Sequence, residues 1–367
     1  MELKISYCPK LLSSTNEKFP LPPSIQELQI ECLPTRLQPY FPENQTSLKN
    51  MVVGPSPDLQ SLRLHSFTAL EVLEIYNCGQ LDVLEGLPYL NSLRRLCIQM
   101  NPKLSAAWVR KCQDQEGRTH VLLPRSLEIL CIKALQDETV PYLLAHLPAL
   151  VQLEVCDSPN LTSLPLDSLA ALKRVIINSC DSFSFLEGLL SELEVSDSPN
   201  LTSLQLGSLR ALKKLDVLFC KSLVSLEGLQ SLGSLTDLTI LGCYSITPCL
   251  DLMSQQAVGF NLFHRLERIK IDDFSALTTS FCKHLTSVQH LVLLEDSNIK
   301  RAYLQMNKRK HFSSSRLCES SSLFTARISY IFLLCYTDYL PSRNYSSRNV
   351  HASQGFLRRA FHPHWKS

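Results

Sequence analysis

Glycine is scarce, with 11 in 367 residues. Its sparse placement builds neither a Gly-x-x-x-x-Gly-Lys-Ser/Thr loop nor a Gly-x-Gly-x-x-Gly turn, the arrangements that cradle phosphates with backbone amides. His-Glu-x-x-His and Gly-x-Ser-x-Gly are also missing, which removes the zinc-protease helix and the hydrolase nucleophile elbow. There are 14 cysteines but no Cys-x-x-Cys pair, so tetrahedral zinc is not expected. The apolar run Tyr330–Tyr336 falls well short of the roughly 20 residues that cross a bilayer. No secretory leader is visible, because Met1-Glu-Leu-Lys-Ile-Ser-Tyr-Cys already reads like the rest of the chain. The expectation is no enzyme, cofactor, metal, membrane or small-molecule substrate. A net charge of +2 likewise predicts no nucleic-acid partner for the whole chain.

What is present is repetition. Leu153-Glu-Val-Cys-Asp-Ser-Pro-Asn-Leu-Thr-Ser-Leu returns as Leu193-Glu-Val-Ser-Asp-Ser-Pro-Asn-Leu-Thr-Ser-Leu, forty residues later. Over 153–189 and 193–229, 23 of 37 positions are identical. Each copy holds two smaller units of the form Leu-x-x-Leu-x-Ile/Val, a Cys or Ser three residues on, then Leu at steps of three. The Leu-x-Ile step has the period of a strand. A helix fits it poorly, and Pro159 and Pro199 would break one. A strand plus a return arm is one coil of a leucine-rich repeat.

The predicted fold is therefore α/β: a leucine-rich repeat solenoid, or horseshoe, with a parallel β-sheet on the concave face and an irregular or short-helical convex side. Units begin near Leu70, Leu93, Leu127, Leu150, Leu172, Leu190, Leu212, Leu235, Leu266 and Val288. The steps at Leu93 and Leu235 are long, and the insertions there, around 108–120 and 247–263, are expected to be loops. The short step from Leu172 to Leu190 is expected to distort the outer arm and spare the strand. Three regions follow. Residues 1–58 are irregular, Pro-rich and uncapped: Leu3, Ile5, Cys8 and Leu11 make most of a repeat, and Ile25, Leu28 and Ile30 mark a strand. Residues 59–299 are the array.

Residues 300–367 form a basic tail that reads as disordered, with 12 of the 36 Lys/Arg but only 2 of the 34 Asp/Glu. Lys308-Arg-Lys310 and His362-Pro-His364 there are weak phosphate and metal signals. Cys78, Cys180, Cys220 and Cys243 share one repeat position, which predicts buried free thiols and a reducing compartment.

Side chains flanking the strand Leu should point onto the open face. The expected protein-binding residues are Glu74, Tyr76, Glu154, Glu194, Asp216, Leu218, Phe219 and Lys270. Glu74, Glu154, Glu194 and Asp216 fall in one column and could form a negative stripe for a basic partner. Leu218 and Phe219 should be exposed apolar residues at mid-array.

The phrase Leu-x-x-Leu-x-Ile-x-x-Cys-x-x-Leu-x-x-Leu-x-x-Leu, seen in Leu70–Leu87 and Leu212–Leu229, resembles the leucine-rich region of plant intracellular nucleotide-binding disease-resistance proteins of the NB-ARC type. The likeness covers about 1–299, and the Gly-x-Ile-Pro step of secreted plant receptors is missing. The resemblance implies a cytoplasmic defence-response module that recognises a pathogen effector or a host protein. No nucleotide-binding domain accompanies it, so ATP binding does not carry over, and a fragment of a longer receptor is expected. The alternative is the substrate-reading repeat of an F-box-type ubiquitin ligase, although 1–58 shows no helical F-box.

Overall fold

The computed structural model describes residues 1–6, 22–32, 45–113, 121–134, 140–250, 263–273, 281, 284–293 and 302–305. The chain divides into two compact units: Met1–Leu235 with Thr239–Ile246, and Thr236–Leu238 with Thr247–Ser367.

In the first unit the Leu-x-Ile steps form strands as the period demands. They run Glu2–Ser6, Glu27–Glu31, Asn50–Val53, Val72–Tyr76, Arg95–Gln99, Ile129–Lys133, Gln152–Cys156, Arg174–Asn178, Glu192–Ser196 and Lys214–Leu218. Each pairs with the next in parallel, residue for residue. In most strands the second and fourth residues are buried while the first and fifth are partly exposed. This is a leucine-rich repeat solenoid. Its core is made by the strand pairs such as Leu153 with Val155 and Leu215 with Val217, and by return-arm leucines such as Leu161, Leu164 and Leu169. All ten residues that opened the predicted units are buried.

The outer side carries more order than expected. Ser163–Leu164, Phe185–Leu186, Ser203–Gln205 and Ser225–Glu227 form a second parallel sheet, and Ser61–Arg63 pairs with Val83–Glu85. Single 3-10 turns follow at Leu87–Tyr89 and Leu229–Ser231. The long step after Leu93 is not only loop: Pro102–Gln113 is an α-helix that buries Leu104, Ala107 and Trp108, spaced as one helical face. Asn50–Val53 is a strand that the Pro-rich stretch concealed. The short step spares its strand as expected, and the outer arm absorbs the deletion at Gly188 (φ 145) and the exposed Leu189.

A second repeated device follows the strands. The residue after most of them has positive φ: Asn77, Met100, Ala134, Asp157, Ser179, Asp197, Phe219 and Gly242. This left-handed residue aims its N–H at the next coil, as in Asp157 to Asn178 O at 2.9 Å and Phe219 to Leu241 O at 2.7 Å. An L-residue held there costs roughly 1–2 kcal/mol. Ala134 is exposed, so Ala134→Gly loses no packing and relieves that strain, offset in part by glycine's greater unfolded freedom. A gain of about 0.5–1 kcal/mol is expected, read as a raised urea midpoint at unchanged slope.

Next comes the buried column holding Ser56, Cys78, Asn101, Ser158, Cys180, Ser198, Cys220 and Cys243. Most donate to the carbonyl two residues back: Asn101 Nδ2 to Gln99 O at 2.8 Å, Ser198 Oγ to Ser196 O at 3.1 Å, and Cys243 Sγ to Leu241 O at 3.3 Å. Several also accept from the preceding coil: Cys78 N donates to Asn101 Oδ1 and Cys180 N to Ser198 Oγ, both at 3.0 Å. The four predicted cysteines are free and buried, and burial pushes the Cys78 thiol up to about 11.

The second unit contains Arg268–Ile271, parallel to His290–Leu293, which pairs antiparallel with Ala302–Gln305. Phe263 and Phe281 meet edge to face with centroids 5.7 Å apart, and Arg268 pairs with Asp237. Ala302–Gln305 is thus a strand within the region read as a tail. The remainder of 300–367 lies outside the described residues, including 308–310, 330–336 and 362–364, as do most of the 247–263 insertion and 114–120 of the other.

Candidate protein-recognition face

In-register pairing lines up the first, third and fifth strand residues of the first unit into three columns on the inner face. The middle column runs Val52, Glu74, Cys97, Cys131, Glu154, Ile176, Glu194, Asp216. Glu74, Glu154, Glu194 and Asp216 therefore do share a column.

Three of the four acids of the expected negative stripe are paired with bases. Arg95 Nε lies 3.5 Å from Glu74 Oε1, Arg174 Nη2 lies 3.1 Å from Glu194 Oε2, and Lys214 Nζ lies 2.7 Å from Asp216 Oδ2. The bases come from the first column, on the same or the adjacent strand. Side chains two apart along a strand, or diagonal across a pair, are within reach of each other. Glu154 instead accepts the Cys156 thiol at 3.6 Å. Partly exposed pairs like these contribute little stability, about 0–1 kcal/mol each, and they offset three of the four acids of the column.

The middle column is also less open than its placement implied. Cys97 and Cys131 are only 5% and 3% exposed, and Thr239 is buried as well. Asp216 keeps one buried oxygen, Oδ1, without a hydrogen-bond partner.

Tyr76 lies in the fifth column and donates its hydroxyl to Glu31 Oε1 at 3.3 Å. Glu31 was missed by sequence reasoning, since it falls in the Pro-rich stretch. The Ser6 hydroxyl, then Lys4, Gln29 and Tyr76, hold its carboxyl below the ordinary range against some desolvation. Desolvation, with Glu31 beside it, raises the Tyr76 phenol.

Leu218 ends its strand and is half-buried rather than exposed. Phe219 is 52% exposed, but it occupies the left-handed turn just past the strand, not a face column. Its ring lies over Gly242, where an added Cβ would sit 2.6 Å from Cδ1. Leu241 is half-buried and Tyr244 is 47% exposed, so the apolar patch lies along the strand-exit rim. Lys270 is exposed on Arg268–Ile271 and belongs to the second unit.

Among the described residues, no group of three His, Cys, Asp or Glu is placed to hold a metal ion, and no helix is long and apolar enough to cross a membrane.

No protein-family model matches the sequence, and no curated protein matches it. Among solved structures the chain is similar to one in the crystal structure of a TLR13–ssRNA13 complex, at 16% identity and a TM-score of 0.31. That match covers 75% of this chain and 52% of the other, so this chain spans about half the length of its neighbour. The leucine-rich repeat architecture rests on this chain's own strands, register and buried columns.

Proposed function

We propose that the first unit is a protein-recognition module, and that the chain serves in a plant intracellular immune receptor, reading a pathogen effector or a host protein. One observation carries the recognition reading: an in-register sheet face on which Glu74, Glu194 and Asp216 are each paired with a base, edged by the exposed apolar residues Phe219 and Tyr244. Paired acids lose less by being desolvated than unpaired ones would. Exposed aromatic side chains are the usual anchors of protein contacts. The partner is therefore read by shape and apolar contact more than by charge. The plant assignment rests on the Leu-x-x-Leu-x-Ile-x-x-Cys phrase of the sequence and is an inference from that resemblance.

The test places a photo-crosslinking residue at Phe219 in one variant and at Val224 in another, in chain expressed in plant leaf cells. Val224 is equally exposed but lies on the return arm. A discrete adduct is expected from position 219 and not from 224, and Tyr244→Ser should weaken it about tenfold or more while leaving circular dichroism and melting unchanged. Equal adducts at both positions, or none, would remove the rim from the account. Leu218→Ser is expected to affect folding as well as binding, because Leu218 is half-buried.

A further inference from the structure

Among the described residues, two buried cysteines lie outside the Cys/Ser/Asn column. Cys97 and Cys131 lie on the middle column of the inner face, paired in register on the adjacent strands Arg95–Gln99 and Ile129–Lys133. Neighbouring strands are about 4.8 Å apart, inside the Cα separation of about 4.4–6.8 Å that a disulfide spans. Gln99 Nε2 donates to the Cys97 sulfur at 3.3 Å. Both cysteines are free, and the side chains around them, Glu74, Gln99, Lys133 and Glu154, are half-exposed. The two cysteines are themselves 5% and 3% exposed, so a small oxidant is favoured over a bulky one.

We propose that Cys97 and Cys131 form an oxidisable dithiol on the inner face, which hydrogen peroxide or another small hydroperoxide converts to a disulfide joining adjacent coils. Cys97, whose sulfur accepts the Gln99 amide N–H, is the attacking sulfur. The Cys131 thiol draws the Cys97 thiol below its ordinary range, against desolvation, and the same contact pushes Cys131 up. Cys97 gives up its proton and bonds to one peroxide oxygen. The O–O bond breaks, and the leaving hydroxide takes a proton to become water. Cys131 then attacks the Cys97 sulfenic acid. The S–S bond forms, the S–O bond breaks, and a second water leaves with the Cys131 proton. Two thiols lose two electrons and the peroxide gains them. The thiols Cys180, Cys220 and Cys243 instead sit in the core column, 0–1% exposed, and donate to main-chain carbonyls of their own and the preceding coil, although Cys243 draws the Cys220 thiol down in the same way.

The test treats the full chain with dilute hydrogen peroxide, blocks remaining thiols with an alkylating agent under denaturing conditions, and maps the digest by mass spectrometry. A Cys97–Cys131 linked peptide is expected, lost on reduction, forming about tenfold faster than the core thiols disappear. In Cys131→Ser the sulfenic acid should persist at Cys97 and be captured by a cyclic dione. Recovery of both Cys97 and Cys131 as free thiols while other cysteines are oxidised would overturn the proposal, and so would a Cys97–Cys156 link. If Cys131→Ser does not fold, the wild-type map decides alone.

Discussion

Gly54→Ala is expected to unfold the first coils of the array. Gly54 follows the Asn50–Val53 strand with φ +130 and donates its N–H to Ile30 O at 2.8 Å. A Cβ built there would sit 1.8 Å from Tyr76 O, 2.9 Å from Tyr76 C and 3.2 Å from Tyr76 N. The obstacle is main chain in the neighbouring strand, so no side-chain rotation relieves it. Backbone strain at such a φ costs about 1–3 kcal/mol by itself. Separating the two strands enough to admit a methyl group adds lost sheet hydrogen bonds, so a total of at least about 3 kcal/mol is expected. A solenoid is held coil to coil, so the damage should stay local. Hydrogen exchange should accelerate over Glu27–Glu31 and Asn50–Val53 while Arg174–Asn178 keeps its protection. Gly79→Ala is the control, since a Cβ there meets nothing within 4 Å. Equal stability of the two variants would mean that these strands do not approach as described.

Asn101→Ala is expected to be the most damaging single change to a buried polar group. Asn101 is 2% exposed. Its Oδ1 accepts from Cys78 N at 3.0 Å, and its Nδ2 donates to Ile75 O at 3.1 Å and Gln99 O at 2.8 Å. Gln99 O keeps a second partner in Asn77 N, whereas the Cys78 N–H loses this acceptor. An orphaned buried donor costs about 1–3 kcal/mol, and the void left by the amide adds to it. A loss of roughly 2–4 kcal/mol is expected from urea denaturation. Asn101→Ser should recover part of it, because Ser158 and Ser198 hold the same position in other coils and Ser198 Oγ accepts from Cys180 N. If Ser and Ala were equally harmful, the hydrogen bond to Cys78 would not be the cause.

Much of this architecture can be read from residues alone. Leu153 with Val155 and Leu193 with Val195 announce strands because a period of two has one structural meaning. Cys78, Cys180, Cys220 and Cys243 announce a packing column because they recur in phase. Asn101 and Ser56 occupy the same column but differ in chemistry, so a search for Cys or Ser at one spacing passes over Asn101. The helix Pro102–Gln113 was legible in Leu104, Ala107 and Trp108, yet the leucine repeat on either side drew the segment toward loop.

The inner face was the least legible part. Arg174 reaches Glu194 across twenty residues of sequence, and only the register of two strands shows that the pair exists. The left-handed turn has no sequence signature either. Asn, Met, Ala, Asp, Ser and Phe all occupy it, and in most coils a hydrogen bond from this residue's N–H to the next coil holds the backbone there.

Amide hydrogen exchange across 150–235 tests the central claim most directly. Slow exchange is predicted in four blocks in phase with the repeat, at Gln152–Cys156, Arg174–Asn178, Glu192–Ser196 and Lys214–Leu218. Faster exchange is predicted at the turns between them, such as 207–211. Protection running continuously through Pro159 and Pro199, or absent from all four blocks, would contradict a stack of coils closed by one parallel inner sheet.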